Sequence, residues 1–287
     1  MKYIIASTAV TDEIRFADGK TVERVAGGAG IYALCGMRLW TEEVLLVTGV
    51  GADYRDIYGR WYEDNGISLE GLIVKDQRTP HNIITYFADG EREETPLYGP
   101  EHYKKIEVTP EELEPYFKTA KGIYIFKDSR EDFWSRILRM KKTSAAAVMW
   151  EIANNAAYPA NKTIVKQIAG RLDILSINLT EAKSLLGLED LAEIVREFQA
   201  WGLKLVFLRR GSKGVVMITP DKALEVPALK NVKVADPTGG GNSSSGAVLY
   251  GFCEGYPLEE CARLGNVSAA MCISQYGVPK IIEYDRK

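Results

Sequence analysis

Apolar positions along the chain fall into short, dense runs separated by stretches of helical spacing. The runs stand at 44–50 (VLLVTGV), 122–126 (GIYIF), 146–150 (AAVMW), 173–178 (DILSIN), 204–209 (KLVFLR) and 214–219 (GVVMIT). Unbroken apolarity rich in β-branched residues predicts strands buried on both faces. Between the runs lie three helix patterns: 53–65 closed by Gly66, a basic one at 130–142 after Asp128 and Ser129, and an amphipathic one at 189–201 closed by Gly202. Alternation of the two kinds predicts an α/β fold, a mostly parallel sheet with helices on both faces.

The N-terminal third departs from this rhythm. No helix pattern follows the opening YIIAS; instead EIRFADGKTVERV alternates polar and apolar positions around Asp18-Gly19. HNIITYFADGEREETPLYG turns in the same way at Asp89-Gly90. Both dipeptides favour the positive φ of a tight hairpin. These hairpins, with Leu72 to Val74, are expected to make a small β-sheet lid, inserted at about 12–25 and 72–98 into one domain spanning 1–287. No repeat, low-complexity tract or long linker marks a second domain.

Composition adds exclusions. With 46% hydrophobic and 26% charged residues the chain is neither fibrous nor disordered, and a net charge of -3 gives no ground for nucleic acid or an anionic membrane as partner. Any phosphate has to be held locally. The apolar start ends at Thr11, Asp12 and Glu13, too early for a signal peptide, and no run approaches a membrane span, so the expectation is a cytoplasmic protein. Cys35, Cys253, Cys261 and Cys272 form no CxxC pair, and only His81 and His102 accompany them. Buried thiols are expected, with no disulfide framework or structural zinc.

The segment carrying most chemistry is 235–247, ADPTGGGNSSSGA, which runs into the apolar helix pattern AVLYGF. Three glycines let backbone N–H groups converge, and the helix start adds unsatisfied donors and the positive end of its dipole. The combination is an anion cradle; the bland alternative is a glycine-rich turn.

This segment resembles the C-terminal signature of the ribokinase (pfkB) family of small-molecule kinases, D-T-x-G-A-G-D. Asp236 matches its first aspartate, and Gly239, Gly240 and Gly241 match the glycines that stabilise the transferring phosphoryl group. Asn242 stands where the family has its catalytic aspartate. A subgroup common in fungi also reads D-P-T-G-G-G-N, and its Gly-Gly-Ala-Gly start and its Trp-Glu pair are similar to Gly27–Gly30 and Trp150-Glu151, so Asn242 reads as a natural variant. Other landmarks fall in order. Asp12 resembles the sugar-binding aspartate after the first strand. Gly27, Gly28 and Tyr32 match the N-terminal signature G-G-x-x-x-N-x-A, with Tyr32 replacing a sugar-binding asparagine. Val50-Gly-Ala-Asp53, Gly59 and Gly66-Ile67 resemble a further family stretch, although an ordinary capped helix reads the same way.

Asn178 and Glu181 resemble the N-x-x-E element that organises Mg²⁺, with a helix-capping carboxylate as the bland alternative. Arg209, Gly211, Ser212 and Gly214 match a turn that lines the nucleotide, and Asn266 a position beside the adenine or ribose. The resemblance implies ATP and Mg²⁺ as cofactors, with Glu181 and Asp236 at the metal. It extends to a monovalent cation, a sugar or nucleoside acceptor, and a homodimer formed through the lid.

Two other readings compete. Gly28-Ala-Gly-Ile-Tyr-Ala33 satisfies the dinucleotide pattern G-x-G-x-x-A, but a hairpin separates it from the first strand, which removes the βαβ context. A non-catalytic, nucleotide- or sugar-binding member of the same fold keeps the cradle and loses the base, since an amide cannot take a proton at neutral pH.

Overall fold

The computed structural model describes residues 1–88 and 92–281, apart from the side chains of Glu23 and Arg92. The chain opens with β1 (Tyr3–Ala6), β2 (Val10–Arg15), β3 (Thr21–Gly27), α1 (Ala29–Arg38), β4 (Val44–Gly51), α2 (Tyr54–Asp64) and β5 (Leu72–Asp76). It continues through β6 (His81–Tyr86), β7 (Arg92–Pro96), α3 (Pro100–Ile106), α4 (Pro110–Phe117), β8 (Gly122–Lys127), α5 (Glu131–Lys142), β9 (Ala147–Ile152) and α6 (Lys162–Ala169). It ends with β10 (Ile174–Asn178), α7 (Leu179–Leu186), α8 (Leu191–Ala200), β11 (Leu205–Arg209), β12 (Val215–Ile218), β13 (Ala223–Val226), α9 (Gly240–Glu254) and α10 (Leu258–Ile273).

The apolar runs pair into one nine-stranded sheet of order β13-β12-β11-β10-β9-β8-β1-β4-β5. Pairing is parallel from β11 through to β5 and antiparallel only at the β11–β12–β13 edge. Because side chains alternate across a strand, neighbouring residues enter different cores. Ile4 packs with Trp134 and Trp150 on one side, whereas Ile5 packs with Leu34, Val248 and Met271 of α1, α9 and α10 on the other. The helices α1, α9 and α10 lie together on that second face, where Gly36 and Gly246 allow backbone contact: a Cβ on either would overlap the main chain of Ser243 or Ala33.

The two N-terminal hairpins join a separate four-stranded sheet of order β3-β2-β6-β7. β2 and β6 run parallel, from Thr11 opposite His81 to Arg15 opposite Thr85, which unites the hairpins. Gly19 turns the first at φ 85°; the Asp89-Gly90 turn of the second lies outside the described residues. The expectation for Leu72 to Val74 needs correction. This segment is β5, parallel to β4 at the edge of the main sheet, with Leu72 opposite Thr48. Gly71 presses against the Leu46 carbonyl and Leu72 is buried in the second core, so the second insertion joins the small sheet only from residue 81.

Asp53 anchors the crossover between the sheets. Its carboxylate leaves the start of α2 uncapped and accepts instead from the Thr79 N–H at 2.8 Å and hydroxyl at 2.7 Å. The four thiols are free, three buried and Cys253 partly exposed. Among the described residues no helix is long and apolar enough to cross a membrane.

Candidate active site

Ligands of parallel sheets bind beyond the carboxyl ends of the strands. There a cavity of about 850 Å³ opens between the two sheets. One wall is the small sheet, through Val10, Asp12, Asn82, Ile84, Glu94 and Pro96, and the floor is the start of α1, at Gly28, Ala29 and Tyr32. The far end holds Asn178, Thr180, Glu181, Thr238, Gly239 and Asn242. Asp12 and Asn242, 230 residues apart in sequence, thus face one space.

Each position has a local cause. Gly27 has no Cβ because Asp12 occupies that place, and Gly28, at φ 96°, lies against the Thr8 carbonyl, 2.7 Å from where a Cβ would be. Gly239 is left-handed at φ 77° and opens α9, whose helical turn starts at Gly240, earlier than the apolar pattern indicates. A Cβ on Gly239 would overlap the ring of Tyr32. The aromatic residue in the expected amide position therefore supports the glycine turn from below, and burial pushes its phenol well above the ordinary tyrosine range.

Asn178 and Glu181 cap each other. Asn178 Oδ1 accepts from the Glu181 N–H at 2.8 Å, and Glu181 Oε2 accepts from the Asn178 N–H at 2.9 Å, a capping box at the start of α7. Glu181 still lines the cavity, and its Oε1 carries no hydrogen bond among the described residues. Burial raises its pKa, opposed by the nearby Arg209 and the Asn178 N–H. One open carboxylate oxygen suits a hydrated Mg²⁺ that draws its other ligands from phosphate and water; Asn178, with its oxygen used in the cap, has an N–H₂ donor to offer. Among the described residues no group of three or more His, Cys, Asp or Glu side chains gathers to hold a metal.

Asp236 belongs to the loop before α9. Its Oδ1 accepts from the Tyr86 hydroxyl at 2.6 Å and the Thr238 N–H at 2.9 Å, and it does not line the cavity. Of the residues expected at the nucleotide, Asn178 lines the cavity and Arg209, Gly211, Ser212, Gly214 and Asn266 do not. Gly211 and Ser212 form an exposed turn, and Gly214, at φ 83°, abuts the backbone of Val226 to Ala228. The Asn266 amide donates to the Pro227 carbonyl at 2.8 Å. Arg209 turns inward: its Nη1 lies 3.0 Å from Glu151 Oε1 and its Nη2 3.9 Å from Glu181 Oε2. A Cβ on Gly241 would overlap that guanidinium.

Glu151 is the residue whose part sequence reasoning missed. It ends the apolar run of β9 and is 2% exposed. A carboxylate inside such a run was the available signal, since charges are buried only with partners. Asn242 Nδ2 donates to its Oε1 at 2.9 Å and to the Tyr124 hydroxyl at 3.3 Å, while that hydroxyl donates to Glu151 Oε2 at 2.9 Å.

Comparison with known proteins agrees with this architecture. Residues 4–283 match the model of the pfkB family carbohydrate kinases. A cytidine kinase of Thermococcus kodakarensis is 29% identical over 93% of this chain and 94% of its own. Among solved structures, adenosine kinase from Sinorhizobium meliloti superposes with a TM-score of 0.80 at 19% identity, over 97% of this chain and 95% of that one. A protein described as a ribokinase II from E. coli, solved in complex with ATP and Mg²⁺, gives 0.80 at 16% identity, over 96% and 94% of the two chains. With the fold, the order of motifs and the family match in agreement, the chain belongs to the pfkB family of carbohydrate kinases.

Proposed function

We propose that this protein transfers the γ-phosphate of ATP to a hydroxyl of a sugar, nucleoside or similar small polyol. The observation that carries the reading is one cavity that brings together Asp12 and Gly28 at one end, suited to a polyol, and Gly239 with the first turn of α9 at the other, suited to an anion. Asp12 accepts acceptor hydroxyls, and Asn82 and Tyr103, joined by a hydrogen bond of 2.5 Å, stand on the same wall. Backbone donors at Gly239 to Gly241 take the charge spread over the phosphoryl oxygens. Mg²⁺, held by Glu181, would offset charge between the β- and γ-phosphates. Nucleoside acceptors are favoured within this class by the cytidine and adenosine kinases among the similar proteins, and by the apolar Ile84 and aromatic Phe126 on the cavity wall.

The experiment is ATP consumption with Mg²⁺ across a panel of sugars and nucleosides, beside a thermal-shift screen of the same ligands. Turnover with one acceptor class supports the kinase. Binding of nucleotide without turnover on any acceptor supports the non-catalytic alternative, for which Asn242 at the base position is the motive.

A further inference from the structure

Asn242 has one orientation. Glu151 only accepts hydrogen bonds, so the amide presents its nitrogen to Glu151 and Tyr124 and turns its oxygen away from them. That oxygen has no partner among the described residues, and Asn242 lines the cavity. Behind the amide, Glu151 accepts hydrogen bonds from Asn242 and Tyr124 and forms an ion pair with Arg209, which is itself packed against Gly241 of the cradle. A buried ion pair is weak evidence for stability, so a charge held at this point calls for another use.

We propose that Glu151 is a positioning residue for phosphoryl transfer: through Asn242 it holds an amide oxygen against the acceptor hydroxyl and supplies, one hydrogen bond further back, the negative charge that an aspartate in place of Asn242 would carry. The inference rests on the kinase reading above. A charge-assisted N–H···O⁻ bond polarises the amide, which makes Oδ1 a stronger acceptor without a proton leaving it. The acceptor oxygen bonds to the γ-phosphorus, the bond from that phosphorus to the β–γ bridging oxygen breaks, and its electron pair leaves with ADP. The hydroxyl proton stays against Oδ1 until the new bond forms and then moves to a non-bridging oxygen of the transferred phosphoryl group. A loose transition state makes this order workable, because the attacking hydroxyl needs orientation more than early deprotonation.

The test is steady-state turnover of wild type, Glu151→Gln, Asn242→Asp and the double variant, with ADP–Mg²⁺ affinity measured by calorimetry. Glu151→Gln keeps the shape and an acceptor oxygen but loses the charge; kcat is expected to fall about 10- to 100-fold while the acceptor KM and ADP affinity move less than about threefold. Asn242→Asp sets two carboxylates face to face and is also expected to be slow. In the double variant amide and carboxylate have changed places: the Tyr124 hydroxyl accepts from the amide on β9 and donates to the carboxylate on α9. One carboxylate is then left at the acceptor hydroxyl, so kcat is expected to recover at least about tenfold over either single variant. Wild-type kcat in Glu151→Gln, or a double variant no faster than Glu151→Gln, overturns the inference and leaves the kinase reading intact. Wild type that binds ADP yet turns over no acceptor overturns both. Should Glu151→Gln fail to fold, NMR of wild type decides: a solvent-protected Asn242 side-chain NH₂ is expected, and one exchanging at the rate of a free amide overturns the inference.

Discussion

Asn242 sits in the first turn of α9, and its environment changes what a substitution there does. From the motif alone, Asn242→Asp restores a family base. With Glu151 Oε1 2.9 Å from the amide nitrogen, the new carboxylate meets a like charge in a buried setting that Arg209 only partly offsets. Asn242→Asp is expected to lower stability at pH 7 by about 1–2 kcal/mol, measured by denaturant unfolding; an unchanged midpoint contradicts this. Gly241 is constrained for a related reason. The side chain introduced by Gly241→Val drives into the Arg209 guanidinium, so this variant is expected to cost about 1–3 kcal/mol of stability and to weaken ADP binding, read by calorimetry. Stability and ADP affinity both at the wild-type level would refute this view of the cradle.

At the scale of elements, Asp173 ties together parts of β9, the approach to β11 and helix α5 where β10 begins. It accepts from the Val148 N–H of β9 at 2.8 Å, from Lys204 ahead of β11 at 2.7 Å, and pairs with Lys141 of α5 at 2.8 Å. Burial pushes its pKa up, and the hydrogen bonds from Lys141, Lys204 and Val148 outweigh that and hold it below the ordinary aspartate range. A lowered folded pKa contributes stability that is present above the unfolded value and lost as pH falls through the folded one. Asp173→Asn is therefore expected to destabilise at pH 7 and to lose less than wild type between about pH 4 and pH 2. Parallel acid-unfolding curves for the two proteins would count against it. On the small sheet, Asn82 of β6 is expected to act on the acceptor: Asn82→Ala should raise acceptor KM about tenfold, the loss of one to two hydrogen bonds, with ADP affinity held. A KM at the wild-type level would remove Asn82 from the acceptor site.

Across the whole molecule, the small sheet is tied to the loop that leads into α9 at the Gly239 end of the cavity. The Tyr86 hydroxyl donates to Asp236 at 2.6 Å and lies 3.1 Å from the Thr238 hydroxyl, while Phe16 stacks on Tyr86 and packs edge-on against Tyr276. Asp236 in turn holds the Thr238 N–H at the entrance to α9. Any coupling this link carries between the two ends is reciprocal. Tyr86→Phe is expected to keep the fold and to bring the ratio of acceptor affinities, with and without ADP, about fivefold closer to one. An unchanged ratio would show that the link carries no coupling.

Much of this was legible in the chain itself. Strand runs at 44–50 and 204–209 became β4 and β11 almost residue for residue, because continuous apolarity has few other outlets in a layered fold. The turn that opens α9 was legible at Gly239, because its positive φ favours glycine. Asn178 and Glu181 were legible as a capping pair, since both bonds close within four residues. Partnerships between distant residues were not. Leu72 went to the main sheet because β4 offered an edge, and Arg209 pairs with Glu151 of β9 and approaches Glu181 of α7. Asn242 in sequence is only a missing base; beside Glu151 and Tyr124, brought up by β9 and β8, it is an oriented amide. Local conformational demand is written in neighbouring residues, whereas the burial and pairing of a charge depend on strands that meet only when the sheet assembles.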